Sequence, residues 1–526
     1  MGIPFYFKSL VSKFPNIIAR PGVKCGRVFL DFNCVIHMCA ARLLAKTSSP
    51  LNQNKINFKE QVIDDSLEYI HTILKATNPT SLLYIAVDGT CPRAKMQQQR
   101  KRRFMSNWRT EKLSEGSNEK QEIIWDSNIV TPGTSFMIDF DQKLHAYVAD
   151  LKKKCAFDVM CSPSADFGEG EHKIFEYIEN NKIAPDIVDV IYGLDADLIM
   201  LSMLRSERIF LLRELPEFNI KNTYNDAFLV LNVGLLKEIL VGELLNKDPE
   251  RVQDYVILCC LIGNDFIPPL GFLKIKTDGI EVLLRIYNKL GNRIIVDNEL
   301  NIAAVMSIFQ ELSIIEDGCM QDADVAYYSR KCQYMHTIEN RIDNYPTLNK
   351  HPRNIDVHTK QWRMSYYKHM FHYNIDDVVN DACEKYIEGL LWMFEYYIKR
   401  RHNCGWYYPY HYSPTCLDLY NFMIASPIEE RAIKVKDTHA THSEFMEIVA
   451  KPGMHLLLVL PPSSDNLLPS AIKPILSDVA LGCVQYYPRS FGITTYLKTY
   501  LWECNPILPD VSIRGVYGAY CGLRPA

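Results

Sequence analysis

Ile187-Val-Asp-Val-Ile-Tyr-Gly-Leu-Asp195-Ala-Asp197 is a short apolar, partly β-branched run that ends in two carboxylates. A continuous run of this length reads as a strand buried on both faces, as in a parallel sheet. Two more segments share the form: Arg27-Val-Phe-Leu-Asp31 and Ser81-Leu-Leu-Tyr-Ile-Ala-Val-Asp88-Gly89. Arg208-Ile-Phe-Leu-Leu212 is a fourth strand, without a terminal acid. Helical stretches separate them, which predicts an α/β fold: a mostly parallel sheet with flanking helices. Ligands of such sheets bind beyond the carboxyl ends of the strands. Asp31, Asp88, Asp195 and Asp197 all fall there.

The rest of the chain bounds this core. Its 526 residues are 48% hydrophobic and 23% charged, enough for a large core and more than one domain. Residues 1–318 read as an N-terminal domain and the polar stretch 319–360 as a connector. Residues 361–526 read as a second, mainly helical region with an aromatic run at Trp406–Tyr412. The longest apolar run, Tyr255–Ile262, is far short of the roughly 20 residues that span a bilayer. No basic stretch leads into an apolar signal at the N-terminus. The sixteen cysteines include no Cys-x-x-Cys pair, so a reducing compartment is expected over a disulfide scaffold or a zinc site. The expectation is a monomeric intracellular protein, in the cytoplasm rather than the nucleus, with no membrane contact.

Three more acids sit in unusual settings: Glu169 and Glu171 in Gly168-Glu-Gly-Glu-His172, and Asp265 in Gly263-Asn-Asp265. A single Asp after a strand is ordinarily a helix cap, and a Gly-Glu-Gly-Glu string a solvated turn. Seven such acids together need another explanation. Converging carboxylates raise one another's pKa and require compensating cations. Two Mg²⁺ or Mn²⁺ ions about 3.5–4 Å apart would supply them and could grip both oxygens of a phosphodiester under attack. Hard ions of this kind prefer oxygen ligands.

The net charge of −4 argues against a general nucleic-acid coat, yet Arg93–Lys112 holds eight basic residues and one acid. Lys95, Gln99, Arg102 and Arg103 are offset by 4, 7 and 8 residues, within one helical face. Two guanidinium forks, an ammonium and an amide suit a terminal phosphate. A solvated basic helix is the plainer reading, but it leaves unexplained why the turn Asp88–Arg93 ties the helix to one of the acids. His37 and Trp406 are aromatic candidates for stacking on bases. On sequence alone, a satisfied histidine and a core tryptophan are the commoner fates.

At these residues the chain resembles the Xrn-type 5′→3′ exoribonucleases. The matching strings include Met1-Gly-Ile-Pro-Phe-Tyr-Phe7, Asp31-Phe-Asn-Cys-Val-Ile-His37 and Ala86-Val-Asp-Gly-Thr-Cys-Pro-Arg-Ala-Lys-Met96. Others are Gly168–Lys173, Tyr192–Met200, Ile262–Phe266, Tyr386–Trp392 and Trp406–Tyr412. The resemblance implies a 5′-nuclease (PIN-like) core and degradation of 5′-monophosphorylated single-stranded RNA to mononucleotides. It implies that Asp31, Asp88, Glu169, Glu171, Asp195, Asp197 and Asp265 hold the metal. Lys95, Gln99, Arg102 and Arg103 would hold the 5′-phosphate, His37 and Trp406 would stack on terminal bases, and the N-terminal segment would sit where a duplex opens. Two departures stand out. Cys404-Gly405 replaces the first tryptophan of the family's Trp-x-Trp pair, and the chain is shorter than the cytoplasmic members. Partners in RNA decay are not indicated. The rival functions are a structure-specific flap-type DNA nuclease and a non-catalytic scaffold binding RNA ends. Retention of all seven acids disfavours the scaffold.

Overall fold

The computed structural model describes all residues except 1–4, 21, 23–24, 48–54, 116–124, 185–186, 206–207, 215–226, 333–334, 372–374, 426–441 and 524–526. The chain packs as two compact units. One comprises Met1–Cys91 and Ile123–Val252, the other Pro92–Glu122 and Gln253–Ala526.

The first unit is built on a single sheet. Its strands are β1 (Ile18–Ala19), β2 (Arg27–Asp31), β3 (Leu82–Ala86), β4 (Asp158–Ser162), β5 (Val188–Tyr192), β6 (Arg208–Glu214) and β7 (Phe228–Asn232). Their order is β1-β7-β6-β5-β2-β3-β4. The pairings from β6 through β4 are parallel, and β7 joins β6 and β1 antiparallel. The α/β class and the four expected strands are as read from the sequence. Val28, Phe29, Leu30, Leu83, Ile85 and Ile191 are wholly buried, which is why these strands are unbroken apolar runs. β4 escaped the sequence reading because it is an edge strand with alternating exposure. β7 escaped it because Phe228-Leu-Val-Leu-Asn232 runs directly into the helix Val233–Ile239. The Asn232 side chain caps that helix by accepting from the Leu235 N–H at 3.1 Å.

One buried charge pair fixes the central register. Arg27 lies opposite Asp189, and its guanidinium donates to both carboxylate oxygens at 2.8 and 2.6 Å. A bidentate pair satisfies both groups where water is excluded. From β2 the chain moves outward to β3 and β4, then returns to lay β5 on the other side of β2. Beyond the carboxyl ends of β2 and β5 lies the topological switch point at which open α/β sheets bind ligands.

The second unit is mainly helical. Its longest helix, Ile302–Ser329, packs along Cys416–Ala425. Glu316 is buried there and ties the two together, accepting from the Cys416 N–H at 2.6 Å and pairing with Arg363 at 2.7 Å. This helix corrects the connector expected from residue 319, because it continues unbroken through Ser329. After Phe309 its buried stripe continues as Leu312, Glu316, Met320, Asp324 and Tyr327. Two of those five positions are carboxylates, so the stripe reads as polar in sequence. The expected border at 318 therefore lies inside a helix, and packing places the division at Val252/Gln253. Among the described residues, no helix is long and apolar enough to cross a membrane.

Candidate active site

The carboxyl ends of β5, β2 and β3 are neighbours in the sheet, so the segments that follow them bring Asp195, Asp31 and Asp88 to one edge. Adjacent strands lie about 4.8 Å apart, close enough for carboxylates on them to share a cation. Asp31 ends β2 and is half-buried, as are Asp88 and Asp195, whereas Asp197 opens the helix Asp197–Met203 and is buried. Asp195 is held from two sides. Its carboxylate accepts the Ala196 N–H at 2.8 Å, and Arg213 donates to its carbonyl oxygen at 2.7 Å.

Glu169 and Glu171 flank Gly170 at the start of the helix Gly170–Asn180, which packs on β2 and β3. The loop before it is stapled to the Asp88 loop by reciprocal backbone bonds. The Gly89 N–H donates to the Gly168 carbonyl at 2.9 Å, and the Gly168 N–H to the Thr90 carbonyl at 2.7 Å. Gly168 has φ of +108°, a conformation that favours glycine. Gly170 is required for a different reason. A Cβ there would stand 2.7 Å from Asp31 Oδ1 and 3.3 Å from Asp88 Oδ1. Its N–H donates to Asp88 Oδ1 at 2.7 Å. The backbone of this glycine is thus wedged between two of the acids, and it orients one of them.

The field here is strongly negative. The Cys34 thiol is pushed well up, by burial first and then by Asp31, Glu214 and Asp88. Lys173 is a nearby internal cation, as is Arg213. Burial draws Lys173 down to about 8 against the pull of Asp166, Asp88 and Asp141, and it donates to the Val87 and Pro163 carbonyls at 2.7 and 2.8 Å. The donor chemistry fits hard divalent ions: six carboxylates follow neighbouring strand ends, and a glycine leaves room where two of them meet. One ligand went unmentioned in the sequence reading. The ligand atoms of Glu169, Glu171 and His172 lie within 4.8 Å of one another, so His172 joins the candidate set. Its signal was present in the Glu-Gly-Glu-His string.

In the second unit the basic segment is one helix, Arg93–Glu115. Lys95, Gln99 and Arg103 are buried on it, Arg102 is exposed, and Arg103 donates to Gln99 Oε1 at 3.1 Å. Arg100, five residues from Lys95, donates to the Pro509 carbonyl at 3.2 Å and to the Tyr486 carbonyl. Burial lowers Arg100 to about 10. Arg93 lies 4.2 Å from the centre of the Tyr407 ring. Residues after 415 therefore anchor the back of the basic helix. Asp265 belongs to this unit, where its carboxylate pairs with the buried Lys95 ammonium at 3.0 Å. Sequence alone offered no sign that an expected metal ligand and an expected phosphate ligand would meet.

The two stacking candidates differ. His37 is exposed on the helix Asn33–Thr47. Trp406 is only 1% exposed, which corrects its expected role as a base platform. It stacks on Trp392 at 5.2 Å, donates to Glu388 at 3.2 Å, and is packed tightly enough that a Cβ on Gly389 would lie 3.1 Å from its ring. Stacking on a second tryptophan and the bond to Glu388 leave the indole inside the core. The first four residues of the N-terminal string lie outside the described residues.

Residues 1–215 match the family model for the XRN 5′-3′ exonuclease N-terminus, and residues 246–345 and 343–519 match that for the Xrn1 helical domain. Among curated proteins, the chain is 27% identical to 5′-3′ exoribonuclease 1 of Homo sapiens, over 97% of this chain and 33% of that protein. It is 26% identical to 5′-3′ exoribonuclease 1 of Schizosaccharomyces pombe, over 97% of this chain and 48% of the relative. Against 5′-3′ exoribonuclease 2 of Gallus gallus it is 26% identical, over 99% and 70%. The chain spans a third to about half of the length of the first two. Both family models together account for most of its length, and the chain belongs to the XRN 5′-3′ exonuclease family.

Proposed function

We propose that this protein is a divalent-metal-dependent 5′→3′ exoribonuclease that degrades 5′-monophosphorylated single-stranded RNA to mononucleotides. The observation that carries the reading is the wedge of Gly170 between Asp31 and Asp88, with Glu169 and Glu171 buried on either side of it. Family membership supplies the reaction class, and the acids supply the chemistry. Asp31, Asp88, Glu169, Glu171, Asp195 and Asp197 would hold Mg²⁺ or Mn²⁺, with His172 beside them. Bound there, such ions lower the pKa of attacking water and stabilise charge on the phosphoryl oxygens.

The chain's own groups do the positioning. The Gly170 N–H fixes one oxygen of Asp88 and leaves the other free to turn to a cation. Arg213 holds the Asp195 backbone from behind. Lys95, Gln99, Arg102 and Arg103 are assigned to the terminal phosphate. The Arg103–Gln99 bond pre-orients two of these groups before any phosphate arrives, which reduces the ordering cost of binding. The Lys95–Asp265 pair holds that ammonium in place where it is buried.

The test compares three single-stranded RNAs that differ only in a 5′-monophosphate, triphosphate or hydroxyl, each with Mg²⁺ or with EDTA. Mononucleotide release from the monophosphate alone, and only with Mg²⁺, is the expected result. Internal cuts regardless of the end group would instead make it an endonuclease, and no cleavage in any lane would leave an end-binding protein.

A further inference from the structure

A basic and aromatic patch in the second unit, away from the assigned residues, has no part in the hydrolysis described above. Its centre is the turn Leu501–Glu503 and the residue before it. Tyr500 and Trp502 have nearly parallel rings, 18° apart with centroids separated by 6.4 Å, and Trp502 is 44% exposed. Lys276 lies 4.6 Å and Arg330 5.1 Å from the centre of the Tyr500 ring, and Arg330 also donates to the Tyr500 hydroxyl at 3.2 Å. Lys274 is drawn down to about 8, chiefly by burial, and Lys498, Arg330 and Lys276 all push it the same way. Four cations therefore share one neighbourhood. A carboxylate that opposes them there, Glu503, accepts the Thr499 N–H at 2.9 Å.

Lys276 and Arg330 are exposed beside the part-exposed Trp502, so the patch offers a polyanion both positive charge and a flat ring. A nucleic-acid strand suits both features, since phosphates neutralise the cations while a base stacks against the exposed part of the Trp502 indole. The patch is also joined to the basic helix. Leu501, between the two rings, packs in one cluster with Met105, two residues beyond Arg103. We propose that Trp502, with Tyr500, Lys276, Arg330 and Lys498, is a second contact site for single-stranded RNA, gripping the strand downstream of its 5′ end. The choice of RNA rests on the activity proposed above, whereas the pull toward a polyanion with flat rings does not.

The experiment measures binding of 5′-hydroxyl RNAs of 4 and 20 nucleotides in EDTA, by fluorescence anisotropy at two salt concentrations. Wild-type protein is compared with Trp502→Ala and with Lys276→Glu/Arg330→Glu, both at exposed positions. The expected result is a loss of roughly fivefold or more in affinity for the 20-mer in either variant, as for removal of one stacking platform. The 4-mer is unaffected, and the double variant has a shallower salt dependence. Unchanged binding of the 20-mer in both variants overturns the proposal. Failure of hydrolysis is read separately, with a 5′-monophosphorylated 4-mer and Mg²⁺. If that reaction is absent but the length-dependent binding is lost in the variants, the contact site stands and the nuclease reading falls.

Discussion

The two units carry their charged residues by different means. In the first, the acids stand at the ends of adjacent parallel strands, so the topology of the backbone assembles them before any side chain is packed. In the second, the cations lie on one helix whose back is held by residues some four hundred positions later, at Tyr486, Pro509 and Val511. A site made by strand ends is local and repeats a pattern in sequence. A site made by distant packing is visible only after folding.

The largest expected effect lies in the first unit. On the proposed function, replacing Asp31 or Asp197 by Ala removes a metal ligand worth several kcal/mol of transition-state stabilisation, so cleavage should fall by roughly 10³-fold or more. RNA affinity measured in EDTA should hardly change. Equal loss of binding and cleavage would mean that these acids build the fold rather than the reaction.

The second effect is on stability and belongs to the second unit. Trp406→Ala empties a core position and should cost about 3–5 kcal/mol in denaturant unfolding. His37→Ala, at an exposed position, should leave the midpoint in place while weakening RNA binding. If Trp406→Ala were as stable as the wild type and bound RNA poorly, the tryptophan would be a platform after all.

Gly170→Ala tests the wedge. The new methyl must displace Asp31 or Asp88, and misplacement of this size is expected to cost about 10²-fold in turnover. Secondary structure by circular dichroism should be preserved.

The smallest effect is a pH dependence from two histidines of the second unit. His402 and His455 are held neutral, at about 4 and about 3, by burial first and then by His442 and Arg103 respectively. Below the unfolded-state value of about 6.5, the unfolded chain takes up protons that the folded one refuses, so stability is lost as pH falls. The melting temperature should drop between pH 7.5 and pH 5, and His455→Gln should flatten part of that drop. An identical slope in the variant would remove His455 from the account.

The strands that end in Asp31, Asp88 and Asp195 were legible because burial on both faces leaves only apolar residues, and the acids then punctuate them. β4 was not, because its exposed edge mixes polar and apolar positions. The helix through Ser329 was hidden by Glu316 and Asp324, two carboxylates at core positions, of which Glu316 is held by Arg363 and the Cys416 N–H rather than by hydrophobicity. Spacing places Arg100 off the Lys95 face, since a five-residue offset turns a side chain about 140° once the segment is helical. Burial of Trp406 depends on Trp392 and Glu388, whose proximity no local pattern encodes.

The most direct measurement is Mn²⁺ binding to the intact protein, followed by electron paramagnetic resonance and calorimetry, in the wild type and in Asp31→Asn and Glu171→Gln. The account predicts saturable binding in the wild type and weakening or loss of at least one ion in each variant, in parallel with lost cleavage. Mn²⁺ binding that is absent from the wild type, or equal in all three proteins, would contradict a metal centre at the strand ends.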